Sequence, residues 1–381
     1  MEIKTLGEIC EIISGGTPSR ARAEFWKDGD IPWIKIGNVK GKYINKSDEY
    51  ITKLGLENSA AKILPIGTIL YSIFATLGET GILSIEACTN QAIAGIIIKD
   101  KIQVSTEYLY YFLKSKKKNV NDVGRGVAQN NINISILKEF KVFLPEREIQ
   151  CKIADIFDKI ENIIEMRKAE LETLDKLVKA RFVEMFGNVQ SEGKYKGIPL
   201  RNLCKIMSGG TPSTKYPEYY KGDIPWISTV SLGPNHIDGS TAKGFITQEA
   251  IDNSATKLIP ARNILFGTRV GVGKSSLNDV DICTNQDIVA IVGIDETKYN
   301  RLFIKHVLDF YQPYYDSIKK GATILGITGD DLKGTLIPDA PIDIQIEFEQ
   351  FVDHIDKSKF DYLLIISNPY IQNPNFAVKW S

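Results

Sequence analysis

Two stretches of this 381-residue chain have residue types that could do catalytic chemistry, and neither has the spacing. Gly271-Val-Gly-Lys-Ser275 offers the backbone amides and lysine of a phosphate-holding loop, but that loop needs glycine where Thr268 stands. A hairpin turn is the expectation there. The tail Ile365-Ile-Ser-Asn-Pro-Tyr370 lacks the second proline of an amine-holding Asn-Pro-Pro-Tyr element, and no glycine-rich strand-to-helix turn precedes it to bind a methyl donor. His236, His306 and His354 are the only histidines, without metal-ligand spacing or a recurring base partner. Cys10, Cys88, Cys151, Cys204 and Cys283 form no C-x-x-C, which argues against a zinc site or a disulfide framework and for reduced, mostly buried thiols. Nothing in these patterns makes the chain an enzyme.

A different chemistry fits better. Arg and Lys read guanine edges and phosphates, Asn and Gln read adenine, and hydroxyls add adaptable bonds. Candidate groups of this kind are Arg20, Lys35, Asn38, Lys40, Lys42, Lys117, Arg125 and Asn131 in the first half of the chain, and Lys215, Thr229, Ser231, His236, Arg269, Lys274 and Thr323 in the second. Any one of them could be an ordinary surface residue. Their weight comes from where they fall in an internal repeat.

Ser14-Gly-Gly-Thr-Pro-Ser19 recurs as Ser208-Gly-Gly-Thr-Pro-Ser213, and Gly29-Asp-Ile-Pro-Trp33 as Gly222-Asp-Ile-Pro-Trp226. Asn58-Ser-Ala-Ala-Lys62 answers Asn253-Ser-Ala-Thr-Lys257, and Cys88-Thr-Asn-Gln91 answers Cys283-Thr-Asn-Gln286. The offsets stay between 193 and 195 residues, the mark of a tandem duplication. Repeated positions read as scaffold: glycine for positive φ, proline for fixed φ, tryptophan for buried area. The stretches that diverge between the copies are residues 35–56 against 228–251, 71–86 against 266–281, and 101–131 against 296–326. They hold most of the candidate readers.

Each copy ends in a helix. Residues 147–186 lack Gly and Pro, and Phe157, Ile164, Leu171, Val178 and Met185 recur every seven positions, with Ile153, Ile160 and Leu174 as a second row. This is a coiled-coil seam on a helix ~60 Å long. The matching segment offers Phe348, Val352 and Ile355 and should stop before Asn368-Pro369. The predicted organisation is an α+β (mixed α/β) chain with globular domains at 1–145 and 188–341, helices at 146–187 and 342–367, and a divergent tail at 368–381. With 47 basic and 47 acidic residues the net charge is zero, so any polyanion surface must be a local patch. The lack of a long apolar run predicts a cytoplasmic chain without a membrane span.

Ser-Gly-Gly-Thr-Pro-Ser, Ile-Pro-Trp, Thr-Asn-Gln and then Pro-x-x-x-Ile-Gln opening a long helix, all present twice, resemble the specificity subunit of type I restriction-modification enzymes. The resemblance covers residues 1 to about 360 and implies two target recognition domains, each reading one half of an asymmetric bipartite DNA site. It implies helices that pair antiparallel, set the unread spacer and dock two methyltransferase subunits, with restriction subunits in the same complex. S-adenosylmethionine, ATP and Mg would then sit on those partners, with no cofactor in this chain. A helix overlap of about 20 residues spans ~30 Å, near the ~34 Å turn of B-DNA. The second helix, shorter than the first, departs from the family pattern. A scaffold with two protein-binding modules and no DNA role is the alternative reading.

Overall fold

The computed structural model describes residues 2–117, 132–189, 191–321 and 325–366. Arg125, Asn131, Thr323 and the tail 368–381 lie outside the described residues. The chain divides into two units, with boundaries between Lys168 and Ala169 and between Tyr362 and Leu363, each inside a long helix.

The two units repeat one topology. In the first, a five-stranded sheet runs in the order Cys10–Ser14, Ile93–Ile98, Ile69–Ser72, Thr80–Leu83, Tyr43–Ile44. A three-stranded sheet places Ile31–Ile34 between Glu49–Ile51 and Cys88–Thr89. The second repeats both, with Lys205–Ser208, Ile288–Val292, Ile264–Gly267, Ser275–Asn278, His236–Ile237, and with Ile224–Ile227 between Gly244–Ile246 and Cys283–Thr284. Within each five-stranded sheet only the last pair is parallel. The β-branched runs at 96–98 and 289–292 are buried strands, as their composition predicts. Gly271–Ser275 is the turn between two antiparallel strands and not a phosphate loop.

A helix packs on each large sheet: α1 (Thr106–Ser115) in the first unit and α3 (Arg301–Phe310) in the second. Each starts where a side chain caps it. Ser105 accepts from the Tyr108 amide and Asn300 from the Phe303 amide, satisfying donors that a helix start leaves open. The long helices are α2 (Arg147–Phe186) and α4 (Ile342–Ile366). The polar, glycine-containing segment 187–197 contains a small hairpin pairing Gly187–Asn188 with Glu192–Gly193.

The Ile-Gln repeat explains how each long helix is fastened. Gln150 is buried; its Oε1 accepts from the Ser105 amide at 2.9 Å, while its Nε2 donates to the carbonyls of Gln103 (2.9 Å) and Pro145 (2.8 Å). Gln345 does the same with the Asn300 amide (2.9 Å) and the Lys298 (3.0 Å) and Ala340 (2.7 Å) carbonyls. One amide side chain thus ties the start of a long helix to the cap of the helix on the sheet.

Within the second unit, α4 runs antiparallel to the last part of α2. Arg181 meets Glu347 at 2.7 Å, and Asp175 meets Lys359 at 2.7 Å, so residue numbers fall on one helix as they rise on the other. Lys359, four residues after Ile355, is the cation of the second pair. Val178 and Met185 pack on the core there with the buried Phe348 and Val352, and Leu171, Leu174 and Ile355 are half-buried. The most enclosed apolar side chains of α2 lie off the expected rows: Phe182 and Phe186 are buried against Phe303 and Phe348. Phe157 corrects the seam reading. It stacks on Tyr111 of α1 at 5.0 Å, so this position fastens the helix to its own globular unit. Ile153, Ile160 and Ile164 are half-buried.

His306, on α3, is enclosed edge-on against Phe348, and its Nε2 is buried without a hydrogen-bond partner. Burial, then Lys305 and Lys359, drive its pKa well below 6.5; Asp309 lies 3.7 Å from its Nδ1. The unfolded imidazole therefore binds a proton that the folded one refuses. Stability should fall as pH drops below ~6.5, by up to about 1.4 kcal/mol per pH unit. Thermal melts between pH 7.5 and 5.5 should show this slope, and it should shrink in His306→Tyr, which installs the residue found at matching position 111. Gln345→Leu should lower stability by about 1–3 kcal/mol by orphaning one buried amide and two carbonyls, measurable by urea unfolding.

Candidate nucleic-acid interface

The repeated motifs converge on one scaffold in each unit. The Trp33 indole N–H donates to the Gly16 carbonyl at 2.9 Å, and Trp226 to Gly210 at 3.1 Å. Amides of the glycine pair return bonds: Gly15 to Ile93 and Gly209 to Ile288 at 3.1 Å, Gly16 to Thr89 and Gly210 to Thr284 at 2.8 Å. Thr17 donates to Gln91 and Thr211 to Gln286, joining the Ser-Gly-Gly-Thr-Pro and Thr-Asn-Gln motifs. The glycines are not needed for positive φ, contrary to the sequence expectation. They are needed because a Cβ on Gly15 would strike Asn90 and Thr89, and one on Gly16 the Ala60–Ala61 backbone; Gly209 and Gly210 are enclosed in the same way.

The divergent loops rise from this scaffold, and the structure sorts their candidates by what holds them. In the first unit, Arg20 Nη2 lies 2.5 Å and Lys35 Nζ 2.7 Å from the two carboxylate oxygens of Glu49. Asn38 donates to Asp48 at 2.7 Å. Lys40 is exposed and makes no ion pair among the described residues. Lys42 turns inward. Only 12% of its side chain is exposed, its ammonium meets Asp158 of α2 and it lies 5.0 Å from the Tyr111 ring, so it fastens the loop to the helix and does not face a groove. Tyr111 donates to the same Asp158 at 2.5 Å, and Lys114 pairs with Glu161. Burial pushes the Asp158 pKa up, but these bonds outweigh it and hold the carboxyl below its usual value. Lys117 pairs with Glu79 at 2.7 Å.

In the second unit Thr229 and Ser231 are buried, with Ser231 bonded to the Thr241 carbonyl at 2.6 Å, while Val230 between them is 80% exposed. At three residues per turn, the 3-10 segment Thr229–Ser231 spreads its side chains around the axis with Val230 turned outward, so these hydroxyls are scaffold. His236 meets Asp279 at 2.8 Å, and Arg269 lies 3.8 Å from Asp287. Lys215 and Lys274 are exposed and make no ion pair among the described residues. Asn235, at the place of Lys42, bonds Asp356 of α4. Reading by residue type passed over the carboxylates Asp48, Glu49, Asp279 and Asp287 and the exposed Val230. The carboxylates meet their partners only in the folded chain, and nothing local in the sequence signals that. No group of three or more His, Cys, Asp or Glu side chains among the described residues could hold a metal ion, and no described helix is long and apolar enough to cross a membrane.

A family model described as the type I restriction modification DNA specificity domain matches residues 1–176 and again 192–363. The chain belongs to that family. Its two globular units are target recognition domains of a DNA specificity subunit, as the doubled motifs imply. It is similar to the type I restriction enzyme MjaIX specificity subunit of Methanocaldococcus jannaschii, 28% identical over 90% of this chain and 84% of that protein. It is also similar to the HindI specificity subunit of Haemophilus influenzae, 34% identical over 44% of this chain and 38% of that protein. Among solved structures, a type I restriction-modification assembly studied for its conformational transition shares the fold with a TM-score of 0.64 at 16% identity, covering 98% of this chain and 95% of the other. The specificity subunit from M. genitalium gives 0.52 at 15% identity over the same shares.

These placements separate two kinds of lysine in this specificity subunit. Lys40→Ala and Lys274→Ala should each lower the slope of log binding constant against log salt by ~0.9, the cost of one phosphate contact. Lys42→Ala should leave that slope unchanged and lower the melting temperature. Fluorescence anisotropy with a DNA duplex across a salt series, alongside thermal melts, measures both.

Proposed function

We propose that this chain is the non-catalytic sequence reader of a type I restriction-modification complex, in which each domain reads one half of an asymmetric bipartite DNA site through its exposed divergent loops. The observation that carries this reading is the pairing of two matched buried scaffolds with unlike polar edges. One framework held twice, with different chemistry at its rim, is what two different half-sites require. In this reading α2 and α4 set the unread spacer and dock two methyltransferase subunits. Methyl transfer from S-adenosylmethionine and ATP-driven cleavage with Mg are supplied by the methyltransferase and restriction subunits in the cytoplasm. The balanced net charge suits a reader that shares phosphate binding with such partners. No observation favours a scaffold that ignores DNA.

Methylome sequencing of cells expressing this chain with its methyltransferase subunit tests the proposal. One bipartite adenine-methylated motif is expected, and exchanging the second domain should change only one half of it. A continuous motif, or one unchanged by the exchange, would refute it.

A further inference from the structure

The Ile31–Ile34 strand pairs antiparallel with Glu49–Ile51, with Trp33 opposite Glu49. That register brings Glu49 beside Lys35 on the same strand end and beside Arg20, which follows the Ser-Gly-Gly-Thr-Pro-Ser loop. The Arg20 guanidinium lies 3.6 Å over the Trp26 ring and 5.0 Å from the Trp33 ring. Trp26 is itself held, edge-on to Trp33 at 5.0 Å and bonded through its indole N–H to the Ser19 carbonyl at 3.1 Å. The carboxylate is the inner member of the cluster: its side chain is 25% exposed, against 54% for Arg20 and 43% for Lys35. Bonding to Lys35, then to Arg20, keeps Glu49 below the usual carboxylate range.

Two constraints therefore fix the guanidinium. The indole sets its plane and the carboxylate, paired with Nη2, sets its rotation; Nε, Nη1 and the second N–H of Nη2 have no partner among the described residues, so one two-donor edge, Nη2 with Nε or with Nη1, stays open. A flat fork with free donors, fixed in orientation and turned outward, matches the two acceptors on the major-groove edge of guanine. A phosphodiester is also taken by such a fork, but the carboxylate beside it offsets more of the attraction for a full negative charge than for the neutral acceptors of guanine. The matching positions of the second domain are Thr214, Ser228 and Gly244, so the whole cluster is replaced together. Only its aromatic support persists, as Tyr220 edge-on to Trp226 at 6.0 Å.

We propose that Arg20 reads a guanine in the half-site of the first domain, with Glu49 as its positioning residue and Trp26 as its platform. The second domain reads its half-site without this element. The inference rests on the function proposed above and adds a base, a reader and its support.

The test uses the complex of the full chain with its methyltransferase subunit, comparing methylation of the cognate site with sites substituted at each base pair of the first half-site. In the wild type, replacing one G·C pair should lower kcat/KM by about tenfold or more. Arg20→Lys keeps the charge and loses the fork, and should abolish discrimination at that pair alone, leaving the second half-site unchanged. Glu49→Gln should relax the same pair, and Glu49→Asp should restore part of the preference, a rescue that lost stability would not produce. Equal weakening on every sequence, or discrimination unaltered by Arg20→Lys and Glu49→Gln, overturns this inference while the bipartite reading stands. A wild-type complex with no bipartite site overturns both.

Discussion

One hydrogen bond, from a buried indole N–H to a glycine carbonyl, organises each domain. Trp33 and Trp226 sit in the middle strands of the small sheets, and their bonds to Gly16 and Gly210 draw the Ser-Gly-Gly-Thr-Pro loop against the Thr-Asn-Gln segment. The approach is so close that no Cβ fits on either glycine of the pair. Packing, backbone pairing and indole satisfaction are thus met together or not at all, which explains why these residues are the ones repeated. The loops that carry polar chemistry leave from this point, and their bases are fixed while their tips differ.

A second constraint joins each domain to a long helix. Gln150 and Gln345 bridge the helix start to the cap of α1 and α3, and charged or polar contacts continue along the same faces, from Lys42, Tyr111 and Lys114 in the first unit and Asn235 in the second. The two copies solve this junction with unlike residues. Tyr111 donates to an acid of α2, whereas its counterpart His306 is enclosed against Phe348. The amide bridge repeats because its geometry is backbone geometry. The outer contacts drift because any matched pair of polar groups can hold two surfaces together.

The rims show the same freedom. In the first domain a carboxylate gathers two cations next to the glycine loop; in the second, Arg269 stands by Asp287 on the hairpin. Arg20, Lys35 and Arg269 each stand beside an acid distant in sequence, whereas Lys40, Lys215 and Lys274 pair with none among the described residues. This arrangement lets a chain of zero net charge present a basic edge locally, because the acids are set inward of the cations that they hold.

By itself the sequence determined the duplication, the long helix, the strands rich in β-branched residues and the family, because all of these rest on local periodicity or on contiguous motifs. It also singled out the Ile-Gln pair without indicating what the amide does. The tertiary structure decided which polar residues face outward. Lys42 and Lys40 are two residues apart and of one type, yet one is pinned to α2 and the other is exposed. Thr229 and Ser231 look like ready donors and are buried, while Val230 between them is not. Phe157 keeps the seven-residue phase of a helix seam and packs instead on Tyr111. Glu49 carries no signal until strand pairing sets it beside Arg20 and Lys35, residues 29 and 14 positions earlier. Side-chain direction and ion-pair choice follow from register and crossing strands, and those are long-range properties that no short window of sequence contains.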